Sequence, residues 1–424
     1  MRILFLESYF PPEVGTGPHL AFELGEGLAR AGHEMTVVTG FPRYNVRVMP
    51  SQYRRRLFYR ENMAGMEVLR INAPNRYGNS KLSRGLVQLT CPPFLAFRAL
   101  TARRPEVVLT DTGPLLTGIG AELVARHWRV PCVPYVTDLF PQTAIDMGLL
   151  HSRSLIHMLQ ALERSFYRRG SAIATLSEGY RQYIIRRGGA AERVFVVPTW
   201  ADLDQIRPTY RQNEFRAAHN LDGRFVVLFA GTMGLAQGLE VVIGTARQLI
   251  DEPDLIFLLV GDGVEKEGLQ KLAAGLPNVR FLPMQPKTLY PKILAACDAA
   301  LVTLHGGVTT PTVPSKTMTI MAAGRPILAS VPEEAGSDVR QHVLAATCGF
   351  VTSPGDTGAL ATAVLQLKRD PVAGREMGTR GRTYAERHFS RQVCIGKLER
   401  ILRSVLADHG QAKSPANGKG SAAT

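Results

Sequence analysis

The chain has 424 residues, 45% hydrophobic and 20% charged, which is ordinary globular composition and enough for two domains of roughly 200 residues each. A formal charge of +14 favours anionic partners, and residues 1–210 hold 26 Lys and Arg against 17 Asp and Glu, so the excess leans toward the first half. Five scattered cysteines without a C-x-x-C exclude a disulfide framework or a cysteine metal site, and fit a reducing compartment.

In chain order, "RILFLESYF" reads as a first strand and not as a signal peptide. "EMTVVTG", "PEVVLT", "VPCVPYVTDLF", "SAIATLS" and "VFVVPT" follow as short apolar runs, most of them separated by helical patterns such as "HLAFELGEGLARAG". Runs apolar on both faces and joined by helices imply a parallel sheet covered on each side. After Arg207-Pro208 the alternation restarts with "RFVVLFAG", "LIFLLVGDG", "VRFLPM", "AALVTL" and "RPILAS". The pattern therefore predicts two doubly wound α/β domains.

Two regions interrupt it. Residues 42–75 are polar and Arg-rich, an excursion ending in a hairpin that turns at Gly65. Residues 82–102, "LSRGLVQLTCPPFLAFRALTA", form an apolar helix that is either core or, with Arg84, Arg98, Arg103 and Arg104, laid on an anionic membrane surface. No run reaches the roughly 18 apolar residues of a spanning helix. The chain is expected in the cytoplasm, held to a membrane only at its surface. The tail, 411–424, has no packing potential and is expected to be disordered.

In open α/β sheets, ligands bind beyond the carboxyl ends of the strands. There the sequence supplies "FPPEVGTGPH" with Gly15 and Gly17, "AGTMGLAQG" with Gly231, Gly234 and Gly238, then "GDG" ending at Gly263, and "HGGVTTPTVPSK". One glycine loop is weak evidence, because tight turns need glycine anyway. Four on the same side of two sheets suit a nucleotide diphosphate. There is no G-x-x-x-x-G-K-[ST], no G-x-G-x-x-G followed by its acidic residue, and no H-E-x-x-H, so the residues call for no metal and no bound cofactor.

The segments "PPEVGTGPHLAFELGEGLARAGHEMTVVTG", "TDLFPQ", "FVVPTWAD", "FAGTMGLAQGLE", "LVGDG" and "VPSKTMTIMAAGRPILAS" resemble the GT-B nucleotide-sugar glycosyltransferases of family four. They are most similar to the bacterial branch that builds surface polysaccharides on lipid carriers. The resemblance runs from Met1 to about Leu406, with the motifs in the expected order. It implies two Rossmann-like domains facing across a cleft: an acceptor domain, 1–207, and a nucleotide-sugar domain, 208–384. It also implies a C-terminal helix, 385–408, packing back on the first domain.

The departures from the family pattern are informative. Many members carry two glutamates eight positions apart; Pro311 and Thr319 stand in those places. Thr319 offers a ribose one short hydroxyl where a glutamate would accept from two. Many members also place Arg and Lys in the first loop of the second domain, where this chain has Thr232 and Gln237. Lys316 then becomes the expected cation for the donor diphosphate. It stands in the first turn of a helix that Ser315 is expected to cap, and a cation there opposes the helix dipole unless an anion intervenes.

Asp138, after an apolar strand, is a candidate to bind acceptor or donor hydroxyls or to act as base; a loop aspartate capping the next turn is the plainer alternative. His19, read as beginning the first helix, is either an acceptor or phosphate ligand or a surface residue. The resulting expectation is sugar transfer from a nucleotide-diphosphate sugar, taken as UDP-linked, to a polyprenyl-diphosphate-linked acceptor, metal-free and with retention. No nucleic acid is expected as a partner. A nucleotide-sugar epimerase of the same architecture and a non-catalytic glycosyltransferase-like subunit are the alternatives.

Overall fold

The computed structural model describes residues 1–43, 46, 49–73, 81–146, 148–334 and 337–413. The chain divides into two compact units. Unit 1 holds Met1–Leu176, Arg181–Val197 and the chain from Ile395 onward; unit 2 holds Ser177–Tyr180 and Pro198–Cys394.

Unit 1 is built on eight strands: β1 (Arg2–Leu6), β2 (Glu34–Gly40), β3 (Phe58–Met63), β4 (Met66–Ile71), β5 (Val107–Asp111), β6 (Cys132–Val136), β7 (Ile173–Thr175) and β8 (Val194–Val196), in the order β3-β4-β2-β1-β5-β6-β7-β8. All pair in parallel except β3 with β4. The strands are linked by α1 (Thr16–Arg30), α2 (Lys81–Ala99), α3 (Leu115–Trp128), α4 (Gln142–Asp146), α5 (Arg153–Arg169) and α6 (Glu178–Arg186).

The hairpin expected at Gly65 forms between β3 and β4. Ala64 and Gly65 both have positive φ, 50° and 82°, and Met63 pairs with Met66, which is the geometry of a two-residue turn matching strand twist. Its second strand joins the main sheet in parallel beside β2, a pairing that the polar composition concealed. Arg70 anchors the hairpin with its side chain fully buried. It donates to Glu61, to the Gly40 carbonyl and to the Pro11 carbonyl, and its guanidinium lies over the Tyr53 ring.

Unit 2 has a six-stranded parallel sheet: β9 (Phe225–Ala230), β10 (Leu255–Val260), β11 (Val279–Leu282), β12 (Ala299–Thr303), β13 (Ile327–Ser330) and β14 (Gly349–Thr352), in the order β11-β10-β9-β12-β13-β14. The helices are α7 (Glu214–Ala218), α8 (Glu240–Gln248), α9 (Lys266–Leu272), α10 (Tyr290–Ala296), α11 (Ser315–Ala322), α12 (Ser337–Ala345), α13 (Thr357–Arg369) and α14 (Pro371–His388). Along β9, Val226 and Leu228 enter the core on one face while Val227 and Phe229 enter the core on the other. Both faces are therefore covered, which is why these strands read as unbroken apolar runs. β14 escaped the sequence reading because "GFVT" is short and half-exposed.

The 207/208 boundary moves to Val197/Pro198, because the segment after it packs on unit 2: Ala201 donates to the Phe389 carbonyl, and Arg382 to those of Leu203 and Ile206. The C-terminal helix expected over 385–408 is two helices, α14 and α15 (Arg391–Lys413), and the chain passes to unit 1 at Ile395. There Glu399 meets the His33 ring at 3.1 Å, and His409 Nε2 lies 3.1 Å from the Arg129 carbonyl. Residues 411–413 belong to α15, while the rest of the tail lies outside the described residues. Residues 81–99 form α2 with Pro92 and Pro93 inside it, but the Arg84 side chain lies outside the described residues.

Candidate active site

In unit 2 the loops leaving β9 and β10 lie backbone against backbone. Met233 donates to the Asp262 carbonyl at 2.8 Å, and Glu265 to the Met233 carbonyl at 3.1 Å. A Cβ on Gly261 would stand 1.9 Å from the Gly231 oxygen, and one on Gly263 would stand 2.1 Å from the Met233 oxygen. Glycine is required at both places by that close approach. Gly238, in the left-handed conformation, similarly lets the loop pass the His305 backbone. At Gly234 a Cβ would meet nothing within 4 Å, so that side of the loop is open.

Lys316 sits over this construction. Its Nζ lies 3.1 Å from Gln237 Oε1 and 3.9 Å from the centre of the Phe229 ring. Among the described residues no carboxylate pairs with it, and burial pulls its pKa from the usual lysine range down to about 7. Gln237 and the Phe229 π face therefore relieve the dipole conflict in the ligand-free chain, where the sequence had suggested that an anion alone would do so.

Ser315 does not cap the helix. Pro314 occupies the N-cap position without a side-chain cap, and Ser315 is the exposed first helical residue. The first-turn N–H groups lack acceptors within their own helix, apart from Thr317, which donates to the Pro314 carbonyl. Thr319 Oγ1 donates back to the Ser315 carbonyl at 2.9 Å, so only its lone pairs remain for a ligand.

Two further polar side chains stand at these loops without having been singled out in the sequence. Lys266 Nζ donates to the Gly261 carbonyl at 3.0 Å, which brings a second cation to the glycine pair. His305 follows β12, and its Nδ1 accepts from the Gly307 N–H at 3.0 Å, leaving Nε2 as the protonated nitrogen of the neutral ring. "GDGVEK" and "TLHGG" were the available signals, since both put a polar residue just past a strand end.

In unit 1, Asp138 lies beyond β6, as expected. It accepts from Thr143 Oγ1 at 2.9 Å, so it also makes the turn contact of the plainer reading. Burial raises its pKa, against the opposing bonds from Thr143 and the Leu139 amide. The sequence reading missed its neighbours. Asp111, the last residue of β5, accepts from Thr137 Oγ1 at 2.7 Å and from the Gly113 N–H at 2.8 Å, yet burial still pushes its pKa up to about 6. Glu7, just past β1, is 5% exposed, and its pKa is raised well above the ordinary value by burial and then by the Asp111 charge.

The first-loop expectations change more. Helix α1 begins at Thr16, so Gly17 is helical and His19 lies a full turn in, because Gly15 rather than a later residue holds the N-cap place. His19 is exposed and pairs with Glu23 at 3.2 Å on its own helix. A Cβ on Gly17 would meet nothing, and Gly15 is extended, so neither is needed for packing.

Among the described residues, no three His, Cys, Asp or Glu side chains group as a metal site, and no helix is long and apolar enough to cross a membrane.

Comparison with known proteins agrees with this architecture. Residues 15–200 match the family described as "Glycosyl transferase 4-like domain", and residues 224–370 match "Glycosyl transferases group 1". WcaI of Escherichia coli K12, named as a colanic acid biosynthesis glycosyl transferase, is 28% identical over 96% of this chain and 99% of its own length. WbjE of Pseudomonas aeruginosa, named as a glycosyltransferase, is 28% identical over 79% of this chain and 84% of its own. The structure of HepE from Anabaena in complex with UDP superposes with a TM-score of 0.70 at 18% identity, over 95% of this chain and all of that one. With a glycosyltransferase domain matched in each half, in order and on two parallel-sheet units, the chain belongs to the GT-B glycosyltransferases.

Proposed function

We propose that this glycosyltransferase moves a sugar from a UDP-linked donor to a polyprenyl-diphosphate-linked saccharide, in the assembly of a bacterial surface polysaccharide at the cytoplasmic face of the membrane. The observation that carries the reading is Lys316, a cation held by Gln237 over Phe229, without a carboxylate, beside glycine loops packed backbone to backbone. A half-buried lysine that titrates near neutrality becomes fully charged when a diphosphate arrives, which strengthens the pair where water is scarce.

In the reaction the bond from the anomeric carbon to the diphosphate oxygen breaks, and a bond to an acceptor hydroxyl oxygen forms. The hydroxyl proton leaves with the nucleotide diphosphate or to Asp138. Lys316, with Lys266 and the first-turn N–H groups of α11, stabilises charge developing on the departing diphosphate. Ser315 and Gly231 border that position, Gly234 and Gly263 leave room for the donor, and Thr319 accepts from a ribose hydroxyl. Asp138 orients the acceptor hydroxyl, with Gly15, Gly17 and His19 at the acceptor's phosphate. The transfer retains configuration and needs no metal or bound cofactor. UDP in HepE and the polysaccharide named for WcaI support the choice of donor and product.

The test is incubation of purified protein with a nucleotide-sugar panel and polyprenyl-diphosphate saccharides, following diphosphate release and product mass together. Sugar on the lipid saccharide is the expected result. Diphosphate release without transfer would indicate the epimerase, and neither signal would indicate a non-catalytic subunit.

A further inference from the structure

Unit 1 exposes an apolar cluster that its own core does not use. Leu57 is 69% exposed, Phe58 46%, Phe94 39%, Phe97 57% and Leu100 40%. Phe94 and Phe97 lie three residues apart on one side of α2, and Leu100 follows at the same spacing just past its end. Across from them the Phe58 ring of β3 meets the Phe97 ring, with centroids 6.5 Å apart. Strand and helix thus share one patch, unlike the single exposed side chains that any protein carries.

Arginines surround it. The Arg98 guanidinium lies 5.2 Å from the centre of the Phe58 ring, and that of Arg56 lies 5.2 Å from the centre of the Tyr59 ring. Arg54, Arg55 and Arg56 are exposed, immediately before Leu57, and none has a carboxylate partner among the described residues. Arg60 and Arg103 differ, since they pair with Glu67 and Glu34. With Arg98 they line a groove of about 350 Å³ beside the patch.

We propose that this patch is where the chain seats itself on an anionic bilayer. The Arg54–Arg56 triplet meets lipid phosphates, and Leu57, Phe58, Phe94, Phe97 and Leu100 enter the boundary between headgroups and acyl chains. Planar guanidinium forks match phosphate oxygens in pairs, and apolar side chains beside them gain the hydrophobic transfer that charge alone does not give. A second copy of the chain fits less well. Its arginine triplet would face this one, and the carboxylates at the edge, Glu34 and Glu67, are already paired.

The inference deepens the membrane clause of the proposed function and rests on it. The helix alone, as read from sequence, named neither the strand half of the patch nor the charges that stay unpaired.

Three proteins test it: the wild type, the pair Phe58→Ser with Phe97→Ser, and the triple change of Arg54, Arg55 and Arg56 to Gln. Each is sedimented with vesicles containing phosphatidylglycerol and with phosphatidylcholine vesicles, while UDP-sugar binding is measured without lipid. Melting curves confirm the fold, which exposed positions should leave intact. The wild type is expected to bind the anionic vesicles in a salt-sensitive way. The arginine triple variant should lose on the order of 100-fold in affinity, from a factor of about five per near-surface charge, and the phenylalanine pair about 10-fold or more. UDP-sugar binding should match in all three. A failure of the sugar-transfer reading would appear in that lipid-free arm, independently of the vesicles. Equal vesicle binding by variants and wild type, equal binding of neutral and anionic vesicles, or a dimer that the phenylalanine pair abolishes would each overturn the proposal.

Discussion

At the carboxyl ends of β1, β5 and β6, unit 1 gathers Glu7, Asp111 and Asp138, whereas beyond β9 and β10 unit 2 gathers glycines, Lys266 and Lys316. The architecture is the same, a parallel sheet with loops at one end, and the chemistry is opposite. Acids whose pKa values burial raises can hold or accept the protons of hydroxyl groups, while a half-buried cation above a bare backbone suits phosphate oxygens. Asp262, a carboxylate at the β10 end, accepts from the Gly263 N–H and is exposed. The difference teaches that the sheet only positions a site; the few residues after each strand decide what it holds.

The strongest way to break the comparison is Lys316→Met. Turnover should fall by roughly 100-fold or more, the scale of removing a well-placed stabiliser of a departing group, with nucleoside binding unchanged and nucleotide diphosphate binding weakened. Wild-type turnover, measured with a working donor and acceptor, would remove the cation from the site. The pH dependence adds a sign. Lys316 titrates near 7 in the free chain, and a bound diphosphate favours its charged form, so diphosphate affinity should decline as pH rises above 7. In the free chain its depressed pKa disfavours folding fully below pH 7, and that penalty is relieved as pH rises toward the unfolded lysine value. Stability curves of the wild type and Lys316→Met should therefore converge on the alkaline side.

Asp138→Asn probes the opposite unit. Transfer should drop by about 10- to 100-fold, as for loss of a hydrogen bond to a charged group, while UDP affinity holds. A change in UDP affinity without a change in transfer would move Asp138 out of the acceptor role.

Gly263→Ala sharpens what the glycines are for. Its Cβ would press on the Met233 backbone, which has no flexible side-chain end to give way, so the loops must part, at about 1–3 kcal/mol of stability. A lower melting temperature together with weaker UDP binding is expected; Gly234→Ala, which faces open space, should leave the melting temperature unchanged. The smallest effect belongs to Thr319→Val. The hydroxyl already donates to Ser315, so about 1 kcal/mol or less of donor affinity is at stake. A titration of UDP-sugar into both proteins would show it, and a gain in Thr319→Glu would place the position at the ribose.

Much of this was legible in the chain. Alternating apolar runs gave eleven strands in both units, the Gly65 hairpin among the interruptions, and the loop positions of Gly231, Gln237, Gly263 and Lys316. Asp138 was legible because it follows a strand of unbroken apolar character. Asp111 and Glu7 were not, because each stands within or against its strand and looks like an ordinary strand end until burial raises its pKa. His19 was misplaced by one helical turn, since Gly-Thr-Gly-Pro reads as loop while the helix in fact starts inside it.

The sequence by itself determined the repeated strand–helix order, because apolar periodicity and glycine punctuation are local properties that a chain carries before it folds. Tertiary structure decided what holds Lys316, why Gly261 and Gly263 cannot bear a side chain, and which side chains of α2 and β3 share one exposed patch. Each of those depends on atoms brought together from distant parts of the chain, and burial and through-space distance, which set charge and fit, have no counterpart in residue spacing.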